Sequence, residues 1–333
     1  MIAKPYLLFL GDVQTDIFAK TAFGLRDWCD GDVVGQQRLP SCGVDLSLPE
    51  MDAQAAATAG ARSMVVAVAS IGGALPDHWV PSLISALEAG LDLVSGMHAR
   101  LRDIPAVVDA AARLGRKLHD VRHTDRVLPI ASGRRRTGKR ALMVGTDCSL
   151  GKKYTALALA RELKARGLSA DFRATGQTGI MIAGEGIAID AVVADFIAGA
   201  AEQLSPDATL DHWDVIEGQG SLFHPAYAGV TLGLLHGSQP DALILCHDPT
   251  RIAINGFPDY PIKSYTEAIS GYLMVARLTN PSVRFVGVSL NTVKLSAHQR
   301  AAALAAATAE TGLPACDPMQ GGIGPIADLI EAM

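Results

Sequence analysis

Short apolar runs alternate with stretches of helical periodicity along the whole chain. In the first half, Tyr6–Leu10 reads as a strand, Gly11-Asp12 as a turn and Ile17–Arg26 as a helix. Ser63–Ala69 is nearly continuous in apolar residues, as a strand buried on both faces requires. Pro81–Ala89 reads as a helix stopped by Gly90, Leu91–Val94 opens another strand, and Ile104–Leu114 is a helix ending at Gly115. The second half repeats the alternation, with strands predicted at Ala141–Val144, Ser169–Arg173, Val215–Ile216, Ala242–Leu245 and Val283–Ser289. After the first of these, Ala156, Leu157, Ala160 and Leu163 make an apolar stripe on a helix that Gly167 ends. Strands regularly separated by helices predict an α/β protein with open, mostly parallel sheets.

One segment breaks the pattern. From Ser132 to Arg140 the chain is basic and flanked by glycine, and it reads as a linker. The division is then residues 1–130, a linker over 131–140, and a second domain over 141–333. Its arginines read as a solvated surface, or in a sharper reading as cations facing a nearby phosphate. Composition supports two folded domains: 49% of the 333 residues are hydrophobic and 19% are charged, enough for large cores. A net charge of −5 and an aromatic content of 5% argue against a nucleic-acid binder. The five cysteines form no C-x-x-C pair, so a disulfide framework and a cysteine zinc site are not expected, and a cytoplasmic location is. The N-terminus has no signal-peptide pattern, and no apolar run approaches the ~18–20 residues that a membrane span needs.

The chemistry concentrates where the strand Ala141–Val144 runs into Gly145-Thr146-Asp147-Cys148-Ser149-Leu150-Gly151-Lys152-Lys153. Strand, glycine turn and helix in succession aim backbone N–H groups and a helix N-terminus at an anion. Lys152 supplies a cation, Gly151 permits close approach, and Ser149 and Thr155 are further hydroxyl donors. The usual phosphate loop, G-x-x-x-x-G-K-[ST], ends in a hydroxyl that holds Mg²⁺. Lys153 stands in that place here. The phosphate-binding stretch is therefore Thr146 to Thr155, with Tyr154 inside it, and no metal is expected.

Four further segments end strands, where an open sheet presents its ligand crevice, and a fifth reads as a helix. Arg173 to Gly179 contributes Arg173 as a carboxylate partner, with Gln177 and Thr178 beside it. Asp190, within a segment read as an apolar helix, is costly unless partnered. Glu217-Gly218-Gln219-Gly220-Ser221 places a carboxylate and open backbone next to the loop, with Gln219 and Ser221 as polar neighbours. His247 is a candidate base with an imidazole suited to neutral pH, while Arg251 and Lys263 are carboxylate candidates. Asn291 closes the strand Val286–Leu290.

The loop, with Gly-Thr-Asp-x-x-x-Gly-Lys, and the later Glu-Gly-x-Gly resemble dethiobiotin synthetase, a P-loop enzyme with Thr after the lysine. The larger set resembles a bacterial family once labelled only as of unknown function. That set is the loop, Gly176-Gln177-Thr178-Gly179, Asp190, Glu217 to Leu222, His224-Pro225-Ala226-Tyr227 and His236-Gly237-Ser238. Members of the DgcN type in that family are D-glutamate N-acetyltransferases. The resemblance implies an N-terminal Rossmann-like open sheet and a C-terminal P-loop NTPase-like parallel sheet. It also implies acetyl transfer from acetyl-CoA to the α-amine of D-glutamate or a related D-amino acid.

On that reading the loop holds CoA phosphates, and a second lysine adds charge where a metal would otherwise act. Glu217, Asp190 or His247 takes the ammonium proton. Backbone N–H groups near Gly218–Ser221 face the oxyanion. Arg173 or Arg251 binds substrate carboxylates, and Asn291 lies where related enzymes surround a nucleotide base. Expected partners are a small-molecule substrate and further copies of the chain, with the N-terminal domain structural or oligomeric. Two rivals stay open: a Mg-ATP-dependent ligase or kinase, in which Thr155 reaches a metal, and a non-catalytic nucleotide-binding module.

Overall fold

The computed structural model describes residues 1–68, 73–124 and 126–333. The chain forms two compact units: Met1–Arg126 with Gly176–Ala188, and Val127–Thr175 with Ile189–Met333.

The first unit runs β1 (Tyr6–Gly11), α1 (Lys20–Trp28), β2 (Val33–Arg38), α2 (Ala53–Thr58), β3 (Ser63–Val66), α3 (Val80–Glu88), β4 (Asp92–Ser95), α4 (Pro105–Leu114) and β5 (Leu118–Asp120). Its five strands are all parallel, in the order β2-β1-β3-β4-β5. The strand expected over Ser63–Ala69 ends at Val66, and Ala69 lies outside the described residues. Helix α4 stops where expected, because Gly115 adopts φ 64° and turns the chain out of the helix. Strands β2 and β5 were not expected: VVGQQR carries two glutamines, and LHD is only three residues long. At the end of β1 the Trp79 ring stands within 2.3 Å of the position a Cβ on Gly11 would take, and its Nε1 donates to Asp12 at 2.9 Å. The protein's own side chain thus fills the space beside that turn.

The second unit begins with β6 (Lys139–Gly145), α5 (Lys152–Ala165) and β7 (Ala170–Arg173). A short helix, α6 (Gln177–Ala183), follows, and then α7 (Ile197–Leu204), β8 (Trp213–Ile216), α8 (Ala228–Ser238) and β9 (Ala242–His247). The chain continues through a hairpin of β10 (Ala253–Ile254) and β11 (Phe257–Pro261), then α9 (Tyr265–Ala276), β12 (Arg284–Leu290), α10 (Ala297–Thr311), β13 (Ala315–Cys316) and α11 (Gly324–Glu331). Six parallel strands line up as β13-β12-β9-β6-β8-β7. All six residues of β9 are buried, matching its apolar run. Strand β6 is central, and the chain winds from it first to one side and then to the other. Its carboxyl end is therefore the topological switch point at which open α/β sheets bind ligands.

Helix α6 belongs to the first unit, although its sequence neighbours belong to the second. Tyr6 donates its phenol to Met181 O at 2.8 Å, Lys4 donates to Ile182 O at 2.8 Å, and Ile2 N–H donates to Gly184 O at 3.0 Å. Gly179, Ile180, Met181 and Ile182 are buried.

Two local expectations are corrected. Asp190 lies on an exposed 3₁₀ turn, Ile189–Ala191, and not inside an apolar helix. Gly184 at φ 83° and Gly186 at φ 155° break the helical path before it. The basic run is neither fully solvated nor turned to the phosphate loop. Arg136 and Arg140 are buried, and Arg136 donates to the carbonyls of Ser205, Gly237 and Ser238. Burial pushes the Arg136 guanidinium down to about 10. The run leads into the amino end of β6, roughly 20 Å of strand from the loop at its carboxyl end.

Candidate functional site

Strand β6 delivers Gly145 to the switch point, and the chain then turns through two left-handed residues, Ser149 at φ 53° and Gly151 at φ 102°. Alternating conformations of this kind turn successive N–H groups to one side. Among the described residues, the N–H groups of Ser149, Leu150, Gly151 and Lys152 have no protein acceptor. They are the open donors at the start of α5, and a helix N-terminus adds positive potential there. Leu150, within the loop, is buried.

Lys152 is 7% exposed, and its ammonium donates to Asp147 O at 2.8 Å. Burial pushes it below the usual lysine range. Lys153 lies over the Tyr154 ring, 4.8 Å from its centroid. Thr155 is turned inward: its hydroxyl bonds Gly151 O at 3.1 Å and Ser289 Oγ at 2.8 Å. It is engaged in packing α5 on β12.

Asp147 is completely buried and organises the loop. Its carboxylate accepts the N–H of Cys148 at 2.6 Å and of Asn255 at 2.9 Å, and it pairs with Arg251. Arg251 also donates to Cys148 O at 2.7 Å and Ser149 O at 3.2 Å. Arg251 therefore braces the loop backbone. Burial raises the Cys148 thiol pKa above its ordinary value.

On one side of β6 stands β8. Glu217, 5% exposed, follows it and accepts the Thr175 N–H at 3.0 Å, while Thr175 Oγ1 donates to Glu217 O at 2.7 Å. Gln219 donates to Thr175 Oγ1 at 3.0 Å, and Ser221 is fully buried. Gly218 has no alternative: a Cβ there would lie 1.7 Å from Met143 O. Arg173 is engaged within the fold, donating to the buried Asp214 at 2.6 Å beside Asp171. Gln177 and Thr178 lie in the first unit, where Thr178 Oγ1 meets Thr21 Oγ1 at 3.0 Å and the Gln177 side chain fills the space beside Gly96.

On the other side stands β9. His247, at its end, shares a hydrogen bond of 2.9 Å with the Thr146 hydroxyl through Nδ1. Burial lowers the His247 pKa to about 4, so the ring is neutral at neutral pH. It lines a cavity of about 440 Å³ with Arg251, Lys263, Tyr265, Glu267 and Glu310. Asn291, past β12, donates its N–H to His247 O at 2.8 Å. The next residue, Thr292, donates its N–H to Asp317 at 3.0 Å, joining the loops after β12 and β13.

Tyr272 was not legible as part of this site, and His224 was legible only within its motif, without a role. Tyr272 of α9 is fully buried, and its phenol donates to Gly145 O at 2.8 Å while accepting the Leu222 N–H at 3.0 Å. It ties the phosphate loop to the Gly218–Leu222 turn. His224 packs against Tyr227 and Phe257 beside Asp147. Tyr272 carries no motif; only its helical position beside small residues marks it as core.

Fold and site together define a two-unit α/β protein of the P-loop type. Comparison with known families places it further. Residues 129–327 match the domain of unknown function DUF1611_C, described as a P-loop domain, and residues 34–124 match DUF1611_N, a Rossmann-like domain. The chain belongs to the DUF1611 family. It is 51% identical over 333 residues, all of both chains, to a protein of Tritonibacter scottomollicae named D-glutamate N-acetyltransferase. A Pseudoalteromonas protein of the same name is 44% identical over 325 residues, 98% of each chain. A crystal structure of a DUF1611 family protein from Anabaena variabilis superposes with a TM-score of 0.85 at 34% identity, covering 99% of both chains.

Proposed function

We infer that this protein is a D-glutamate N-acetyltransferase, taking the acetyl group from acetyl-CoA. The observation that carries this reading is the 51% identity, without gaps in coverage, to a relative of that name. The loop supports it. Four open N–H groups and two lysines suit the phosphates of CoA, and the Thr155 hydroxyl is engaged by Ser289.

In the reaction the acceptor ammonium loses a proton, its nitrogen attacks the thioester carbonyl, the C–S bond breaks, and CoA leaves as a thiol. Glu217 and the neutral His247 flank the loop on opposite sides and are the proton acceptors proposed here. The N–H groups of Gly218 to Ser221, without protein acceptors among the described residues, are the proposed donors to the oxyanion. Arg251 and Lys263, which share the cavity beside His247 with Glu267 and Glu310, are the proposed partners of the acceptor's carboxylates. Five free cysteines fit a reducing cytoplasm. The first unit is proposed to be structural or to join copies of the chain, which sedimentation would reveal.

The test is incubation with acetyl-CoA and D-glutamate, following thiol release and the N-acetyl product. Activity is expected to persist in EDTA. No product, or ADP formed only with Mg-ATP, refutes the reading.

A further inference from the structure

His224 stands in the motif His-Pro-Ala-Tyr, to which no role has been given above. It is 2% exposed. Its Nδ1 accepts the backbone N–H of Ala226 at 3.1 Å. A backbone N–H only donates, so Nδ1 must offer its lone pair and the ring proton sits on Nε2. The ring is clamped by Tyr227, 4.5 Å between centroids, and by Phe257 at 5.1 Å. Nε2 lies 3.9 Å from Asp147 Oδ1, beyond hydrogen-bond reach. Nε2–H therefore stands beside Asp147 with no protein acceptor among the described residues, and it is not one of the fully enclosed side-chain atoms that lack a partner, so it is open to approach from outside.

The Asp147 carboxylate, the Cys148 thiol and a ring nitrogen of His224 lie within 4.8 Å of one another, a spacing that would also suit a metal ion. The local chemistry opposes a metal. Nε2 has no lone pair to give while Ala226 holds Nδ1. The Asp147 oxygens already take two N–H groups and the Arg251 guanidinium, whose charge repels a cation. The same reasoning excludes His224 as a base acting through Nε2. What remains is a fixed donor beside Asp147 and Cys148, in the same loop whose Ser149 to Lys152 N–H groups are open.

We propose that His224 Nε2–H is a binding donor to an oxygen of the acyl-CoA carrier, either a phosphate oxygen or the thioester oxygen. This rests on the acetyl-transfer reading above. The full-length chain is compared with His224→Ala and His224→Gln, whose amide can still donate, after melting curves confirm that each is folded. His224→Ala is expected to lose about 10- to 100-fold, and His224→Gln to recover most of it. A loss in CoA affinity assigns the contact to phosphate; a loss in kcat with CoA affinity kept assigns it to the thioester.

Equal failure of both variants overturns the proposal, as does wild-type behaviour of His224→Ala. A second measurement uses the unmutated protein with ¹⁵N-labelled histidine. The Nε2-protonated form is expected, with its N–H resonance moving when CoA is added; the other tautomer, or no response to CoA, overturns the assignment. These binding readouts do not require turnover. If they hold while D-glutamate is not acetylated, the acceptor reading fails and the donor assignment stands.

Discussion

His247 gives a prediction whose sign and size follow from its place in the fold. Burial lowers its pKa from 6.5 to about 4. Between those values the unfolded chain holds a proton that the folded chain refuses, so stability must rise with pH across this window. The contribution is fully restored above about pH 6.5 and fully lost below about pH 4. A shift of about 2.5 units corresponds to about 3 kcal/mol at 1.36 kcal/mol per unit. The perturbation is His247→Asn, which keeps a polar atom for the Thr146 hydroxyl and removes the titration.

Carboxylates also titrate in this range, so the quantity to measure is the difference between the two proteins. Urea unfolding of both, at pH 7, 6, 5 and 4, reads it directly. The variant is expected to gain about 3 kcal/mol on the wild type as pH falls from 7 to 4, with most of the gain below pH 6. A difference that stays constant to within about 1 kcal/mol across the series would refute the reasoning. It would mean that the imidazole is hydrated or already charged in the folded protein, and its role as a neutral group in the cavity would fall with it.

Further outcomes follow from single contacts. Gly218→Ala drives a methyl group against Met143 O at 1.7 Å, and a loss of about 3 kcal/mol with collapse of activity is expected, whereas Gly229→Ala, open to solvent, is expected to be nearly silent in a melting curve. Tyr272→Phe leaves Gly145 O and the Leu222 N–H without their partner, costing about 2–3 kcal/mol, so calorimetry is expected to show the transition lowered by about 5–10 °C. A fragment of residues 1–126 lacks α6 and exposes the surface that α6 covers; circular dichroism is expected to show no cooperative melting until a peptide of residues 176–188 is added.

Much of the architecture was legible because buried parallel strands must be apolar throughout. Tyr6–Leu10, Ala242–Leu245 and Ala141–Val144 announce themselves for that reason, and the glycines after α4 and α5 mark helix ends. Strands such as β2 and β13 escaped because their pairing is decided by neighbours in the sheet, not by their own side chains. The P-loop was legible because its turn needs a glycine at Gly151 and because Gly-Lys follows a strand and opens a helix. Arg173 and Asp190 were less so, since a residue type does not reveal its partner: Arg173 meets Asp214, and Asp190 stands exposed on a turn.

The sequence by itself determined the alternation of strand and helix, the position of the phosphate loop and the substitution of Lys153 for a metal-binding hydroxyl. These are local matters of periodicity, backbone freedom and charge. Only the tertiary structure decided that Arg251 braces the loop through Asp147, that Tyr272 joins the loop to the Gly218–Leu222 turn, and that α6 packs into the first unit, where Tyr6 and Lys4 donate to its carbonyls. Each of these depends on hydrogen bonds and packing between residues far apart in the chain, whose burial sets both their partners and their protonation.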